Sequence, residues 1–349
     1  RSLSYFYLVR IFKDVPLVLD PSDTDNQDFY PEKTDAEVVL DTIENQLVRI
    51  RNDIPLTRET VAQTRGRATR GAVDALLANI ALWNFEYEKT IRYANNVITN
   101  DNYQLLPGGK WFNIFSEGNT LEGIFELQFN TANDENNSMY GVTNDEPNHQ
   151  FTPSTKALEM LSPDVTGEVV RGDGSLVKQD NLIWKYVGAA PDRVTKRPGT
   201  EQYSANWVVY RLADIMLMKA EALSQLGRYD EALTIINRIR ERAFMTPISN
   251  IQNNPTAYED VIMQERAKEL AFEGKRWFDL LRMGRRNNYE RKEALIEIII
   301  ANVPATQKRV LSSKLTDPNG WYMPINTEEL ERNKNLTQNP YYQSYMEDE

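Results

Sequence analysis

Three glutamates raise the first question of chemistry. In ERAKELAFEGKRWFDLLRMGRR, Glu265, Glu269 and Glu273 recur every four residues, with Arg276 three positions beyond and Arg266 and Lys268 flanking them. On a helix this spacing puts all three carboxylates on one stripe. A pair of carboxylates is the apparatus of glycosidic cleavage, and their separation decides between retention and inversion. The stripe also reads as an ion-pair network that fixes how the helix meets its neighbours, and the basic residues favour that reading. A guanidinium keeps a nearby carboxylate ionised, whereas a general acid must hold its proton at working pH.

Other chemistry is thinly represented. The chain has no Cys and a single His, His149, which excludes disulfides, thiolate nucleophiles, Cys-ligated zinc and any multi-His metal site. His149 lies between two prolines in NDEPNHQFTP without the GxSxG elbow a His-dependent hydrolase would need. Neither Asn144–Glu146 nor Asp173–Ser175 follows the alternating EF-hand pattern, so both read as solvated turns and no metal or other cofactor is expected. Gly-rich phosphate loops are absent as well.

Aromatic residues offer a different function, because a sugar ring stacks its apolar face on Trp or Tyr while amides and carboxylates take its hydroxyls. Trp83, Phe85, Tyr93 and Trp277 fall on helical patterns and read as core. Trp111, Tyr140, Phe151, Trp184, Tyr186, Tyr203 and Trp207 fall in or beside an irregular region. Of these, Tyr140, Trp184 and Tyr203, together with His149, are the candidate glycan contacts, chosen for chemistry and loop position.

The elements that must position these groups are mostly helical. AEALSQLGRYDEALTIINRIR (220–240) has the helix, turn, helix layout of a tetratricopeptide repeat: Ala220 and Ala222 allow close approach, Gly227 ends the first helix and Asp230 can cap the second. Ala232, Ile236, Ile239 and Ala243 form a buried stripe. ALLANIALWNFEYEKTIRYANNVI echoes it, with Ala78, Tyr87 and Asn95 each 142 positions before Ala220, Tyr229 and Asn237. The fold expected is mainly α, a superhelix of tetratricopeptide-like helix pairs spanning 1–102 and 208–349. A loop-rich, partly β subdomain at 103–207 interrupts it, with extended pieces at 124–129 and 182–187, and is the expected ligand face. Further helices are expected at 258–272 and 288–302, then a turn in DPNGWYMPI and a terminal coil in NKNLTQNPYY.

Composition narrows the partners. With 51 acidic and 40 basic residues the formal net charge is −11, which disfavours nucleic acid and anionic lipid. The longest apolar stretch, Ala294–Val303, is about half a membrane span and carries Glu297. The opening RSLSYFYLVRIF reads as the interior of a helix begun upstream, so an N-terminally truncated chain is expected.

Four stretches resemble the SusD/RagB family. SYFYLVRIFKDVPLVLDP resembles its aromatic helix and GDVPL-type entry, with Lys13 where Gly is usual. YRLADIMLMKAEALSQLGRYDEALTIINRIRERA carries Ala213, Asp214, Ala220, Glu221, Ala222, Asn237, Arg240 and Arg242 in the family's places. ERAKELAFEGKRWFDLLRMG carries Glu265, Arg266, Glu269, Glu273, Gly274, Arg276, Asp279, Leu280, Arg282 and Gly284. WYMPINTEELERNKNLTQNPYY carries Pro324, Ile325, Glu329, Asn333, Leu336, Gln338, Asn339 and Pro340, while Asn326, Lys334 and Tyr341 depart from the pattern.

The resemblance implies a non-catalytic surface lipoprotein of the bacterial outer membrane, anchored through an upstream lipidated Cys and capping a SusC-like TonB-dependent transporter for which it captures glycan. It implies a structural role for the Glu265, Arg266, Glu269, Glu273, Arg276 and Asp279 motif and transfers no sugar-binding residue. A protein- or peptide-binding tetratricopeptide scaffold of a peptide-uptake complex is the alternative, and a hydrolase using Glu269 and Glu273 the third reading.

Overall fold

The computed structural model describes residues 1–21, 28–144 and 150–346. The chain divides into two compact units, Arg51–Asp279 and Arg1–Ile50 with Leu280–Glu349, a division that does not follow the three sequence segments.

In the larger unit two helical hairpins come together. Arg70–Trp83 pairs with Tyr87–Ile98, and Leu212–Gln225 with Tyr229–Arg242; Leu212–Gln225 packs on both helices of the first hairpin and on Pro255–Glu269. The two repeats, far apart in sequence, are thus neighbours. Small residues make this possible: Ala75, Ala78, Ala81, Ala220 and Ala222 are each fully buried, as is the stripe Ala232, Ile236, Ile239 and Ala243. Thr69 caps the first helix by accepting from the Ala72 amide. Gly227 closes the Leu212–Gln225 helix at φ +74°, as a C-terminal glycine should. Asp230 is a correction: Arg228 occupies the N-cap without a side-chain cap bond, and Asp230 lies in the first turn, where its charge favours the helix dipole.

The 103–207 region consists of short helices and turns with two small antiparallel sheets. β1 (Gly123–Leu127) pairs with β4 (Trp207–Arg211), and β2 (Leu176–Val177) with β3 (Leu182–Ile183). The expected strand 182–187 stops after two residues, because Trp184–Tyr186 turns into a 3-10 helix. Asp173–Ser175 is likewise no surface turn but the end of the Val169–Ser175 helix, with Asp173 ion-paired to Arg193. A core cluster forms here from Trp111, Phe112, Phe115, Tyr140, Trp184 and Val208, with further aliphatic residues.

In the smaller unit Ser2–Phe12 packs on Ala36–Ile50, which buries Val39, Leu40, Ile43 and Leu47. Between them Lys13 sits at φ +69°, ψ −96°, a region costly for any side chain but open to glycine. This is the position where the family pattern has Gly. Replacing Lys13 with Gly is expected to stabilise the unit by about 1 kcal/mol, read as a rise in urea midpoint; a fall would mean that the lysine side chain outweighs the strain. Gly284 is needed for closeness, since a Cβ there would lie 2.6 Å from Leu295 and 3.0 Å from Trp321.

The C-terminal motif works as a set of backbone clamps. Gln338 both donates to the Ile325 carbonyl and accepts from its amide, Asn339 donates to Asn319 O, and Asn333 and Asn335 donate to Pro31 O and Tyr30 O. Three helices here have no counterpart in the expected pattern: Ala305–Thr316, which buries only Leu315 and so shows no apolar stripe, the short Thr327–Arg332, and Pro340–Met346, where coil was expected. Lys292–Ile300 is a shorter version of the expected 288–302 helix. Among the described residues no helix is long and apolar enough to cross a membrane.

Candidate functional site

The glutamate motif is the electrostatic centre of the larger unit. Pro255–Glu269 supplies Glu265 and Glu269, but the helix ends there; Glu273 belongs to a turn in which Phe272 and Gly274 have φ +63° and +71°. Helical spacing therefore placed Glu273 in the right neighbourhood for the wrong local reason. Gly274 keeps the turn tight, and a Cβ would come within 3.3 Å of the Trp207 ring.

Arg211 is the hub. It ends β4 and occupies the N-cap position of Leu212–Gln225 without a side-chain cap bond, and in the sheet it lies opposite Gly123, next to Glu122. Its guanidinium donates to Glu273 Oε2 and Oε1 (2.8 and 2.9 Å), Glu122 Oε1 (2.8 Å), Glu269 Oε1 (2.6 Å) and the Glu269 carbonyl (2.5 Å). These five bonds match the five N–H donors a guanidinium carries.

Around it, Arg171 donates to Glu168 in a two-bond fork (2.7 and 2.6 Å) and to Glu265 at 2.5 Å. Arg242 bridges Glu122 and Glu269, and Arg240 bridges Glu265 and the Thr246 carbonyl. Lys268 pairs with Glu168. Lys185 donates to Glu273 (2.9 Å) and Ala271 O (2.7 Å) with its ammonium over the Phe115 and Trp111 rings. Trp111 donates its indole N–H to Glu269. A neighbouring group joins Arg266 to Asp214 and Asp279, and Lys275 to Asp214. Arg276 stands apart, donating to Met263 O.

Charge and burial decide what this cluster can do. Glu122, Glu168 and Glu269 are fully buried and Glu265 and Glu273 nearly so. Burial alone would raise the carboxyl of Glu269, but the guanidiniums of Arg242, Arg211 and Arg171 outweigh it and hold Glu269 well below the usual carboxylate range. Glu273 is lowered in the same way, against its burial, by Arg211 and Lys185. Burial pulls Lys185 down to about 8, with Glu273 opposing. A carboxylate that is ionised at neutral pH and sealed from solvent has no proton to give and no substrate to attack. The cluster ties the loop-rich region, through Glu122, Arg171 and Lys185, to the repeat helices.

The proposed glycan contacts separate from one another. Trp184 is a correction: it is 1% exposed, packed in the core cluster, and its indole N–H donates to Ala190 O at 2.7 Å. Truncating it would cost about 3–5 kcal/mol of packing, so it reports on the fold and not on a ligand. Tyr140 is largely buried and meets Tyr203 edge-on, ring centroids 5.9 Å apart. Tyr203 is 38% exposed and is held in place by its backbone, whose carbonyl accepts from the Asn137 amide. A Cβ added at Gly141 would lie 3.7 Å from the Tyr203 ring, and Phe151, 54% exposed, is joined by its amide to Val142 O of the same short helix, Met139–Asn144. His149 lies outside the described residues, as do Asp145 and Glu146 of the acidic turn. Among the described residues no group of three or more acidic or His side chains could hold a metal ion.

Neighbouring helical hairpins with a loop-rich region ionically clamped to them define a helical-repeat scaffold, and a partly exposed tyrosine lies on that region. The SusD family model matches residues 177–342. SusD-like protein P2 of Formosa agariphila is 25% identical over 330 residues, covering 81% of this chain and 63% of the relative, so the chain spans less than two thirds of that protein's length. A SusD homolog from Bacteroides thetaiotaomicron superposes with a TM-score of 0.69 at 26% identity, covering 98% of this chain and 74% of that one. Surface glycan-binding protein A from Bacteroides uniformis shares the fold with a TM-score of 0.72 at 23% identity, covering 98% and 76%. In motif and in fold the chain is similar to SusD proteins.

Proposed function

We propose that the protein binds glycan at a cell surface and passes it, unaltered, to a SusC-like TonB-dependent transporter of the outer membrane, to which a lipid anchor upstream of these residues tethers it. The observation that carries this reading is the closure of the glutamate motif. The carboxylates spaced for glycosidic chemistry are spent on holding the fold, in a chain whose family resemblance is to SusD proteins and whose fold is shared with a surface glycan-binding protein.

Tyr203, edged by Tyr140, is the aromatic handle, with His149 as a further contact. Stacking on one exposed ring gives modest affinity, because hydroxyls leaving water must find replacement partners. Affinity electrophoresis through gels carrying soluble polysaccharides tests this. At least one glycan should retard the wild-type chain, and Tyr203→Ala should weaken that retardation by about fivefold or more while leaving the melting temperature unchanged, since the ring is partly exposed and the backbone bond to Asn137 survives. Retardation by no glycan, or by the variant as strongly as by wild type, would sink the assignment.

A further inference from the structure

We propose a second ligand site, for a small uncharged polyhydroxylated molecule of about disaccharide size, in the cavity between the Tyr229–Arg242 helix and the segment that returns from it. This proposal rests on the cavity alone and not on the tyrosine face.

Residues 246–254 must run back from the end of one helix to the start of the next, Pro255–Glu269. Two repeat-motif side chains pin their path. Asn237 donates to Ile248 O (2.9 Å) and accepts from Ile248 N (2.8 Å), and Arg240 donates twice to Thr246 O. Beyond the pin the segment and the two helices border an open hollow of about 610 Å³, within the size range of small-molecule sites.

Its lining is chemically one-sided. Asp230, Ser249, Asn250, Gln252 and Asn253 face it, with Tyr258 from the second helix and two aliphatic side chains. The Tyr258 ring is fixed by stacking on Tyr229, centroids 4.8 Å apart. Ser249, Asn250, Gln252 and Asn253 direct none of their side-chain hydrogen-bonding groups to other described residues. Three primary amides, a hydroxyl and a carboxylate give mixed donors and acceptors, the complement of a ring bearing several hydroxyls. No cation lines the hollow to take a phosphate or carboxylate.

Saturation-transfer NMR on the full chain, with maltose and cellobiose as probes and triglycine as the control, tests the site. At least one disaccharide should bind with a Kd of about 0.1–10 mM. In the Tyr203→Ala chain, where the tyrosine face cannot contribute and binding should persist, Asn250→Ala with Asn253→Ala should weaken it at least fivefold and Ser249→Trp should block it by filling the hollow. The exposed positions make unchanged melting temperatures the expected control. Absence of transfer at about 50 mM sugar, binding by the Tyr203→Ala chain that survives both cavity variants, binding abolished by Tyr203→Ala alone, or binding of triglycine in place of sugar would each overturn the proposal.

Discussion

Arg211→Met is expected to be among the most damaging single substitutions in the larger unit. Methionine fills much of the volume but makes none of the five hydrogen bonds, leaving Glu269, Glu273 and Glu122 buried with too few counter-charges. Removing one partner of a buried ionic group costs about 3–5 kcal/mol, because the remaining charge keeps its desolvation penalty and loses its compensation. For a unit of this size that is a fall of roughly 10 °C in melting temperature. Arg211→Lys separates charge from geometry: it restores a cation without the planar fork, so its melting temperature should lie between methionine and wild type. Differential scanning calorimetry of the three proteins reads this directly. A methionine variant within 2 °C of wild type, taken as the margin for no effect, would show that the cluster contributes specificity but little stability.

Acid should dismantle the same cluster. Glu269 and Glu273 have carboxyls lowered in the folded chain by Arg242, Arg211, Arg171 and Lys185. A carboxyl lowered on folding contributes stability that is complete above its unfolded value, about 4.3, and drains away as pH falls from there towards the folded value. Each proton taken up on unfolding gives a slope of about 1.4 kcal/mol per pH unit. Stability should therefore be flat near neutrality and fall by about 1.4–2.7 kcal/mol per unit below pH 4, for one to two protons. Glu126 opposes this weakly: burial raises its carboxyl, so acid favours its folded form. Glu269→Gln should be less stable than wild type at pH 7 and show a shallower acid slope, since one titrating group is gone. Urea midpoints from pH 7 to pH 3 measure both, and an unchanged slope in the variant would assign the acid sensitivity to other carboxylates.

What the residues disclosed depended on how locally each feature is encoded. The helix pairs were legible because a 3.6-residue period and paired small residues at Ala78 and Ala220 record which face packs. The glutamate motif was legible as an ionic scaffold because its own arginines announced the balance of charge. Its partners were not. Arg211 stands 58 positions from Glu269, and Arg171 stands 98; Glu122, Arg171 and Lys185 lie in irregular sequence where no period marks them as inward-facing. Trp184 misled for a related reason. Loop-rich composition suggests exposure, but the short elements around Trp184 bury it as completely as a helix core would. At Lys13 the departure from a family pattern was visible in the residues, while the positive φ that gives it a physical meaning is displayed only by the backbone.

The claim that most needs direct measurement is that this chain binds glycan without cleaving it. Wild-type protein incubated for a day with the polysaccharide that retards it best, and assayed for newly exposed reducing ends, should release no more than a buffer control. Release that persists through purification and disappears in a folded Glu273→Gln variant would contradict the account, for it would turn the scaffold glutamates back into a catalytic pair.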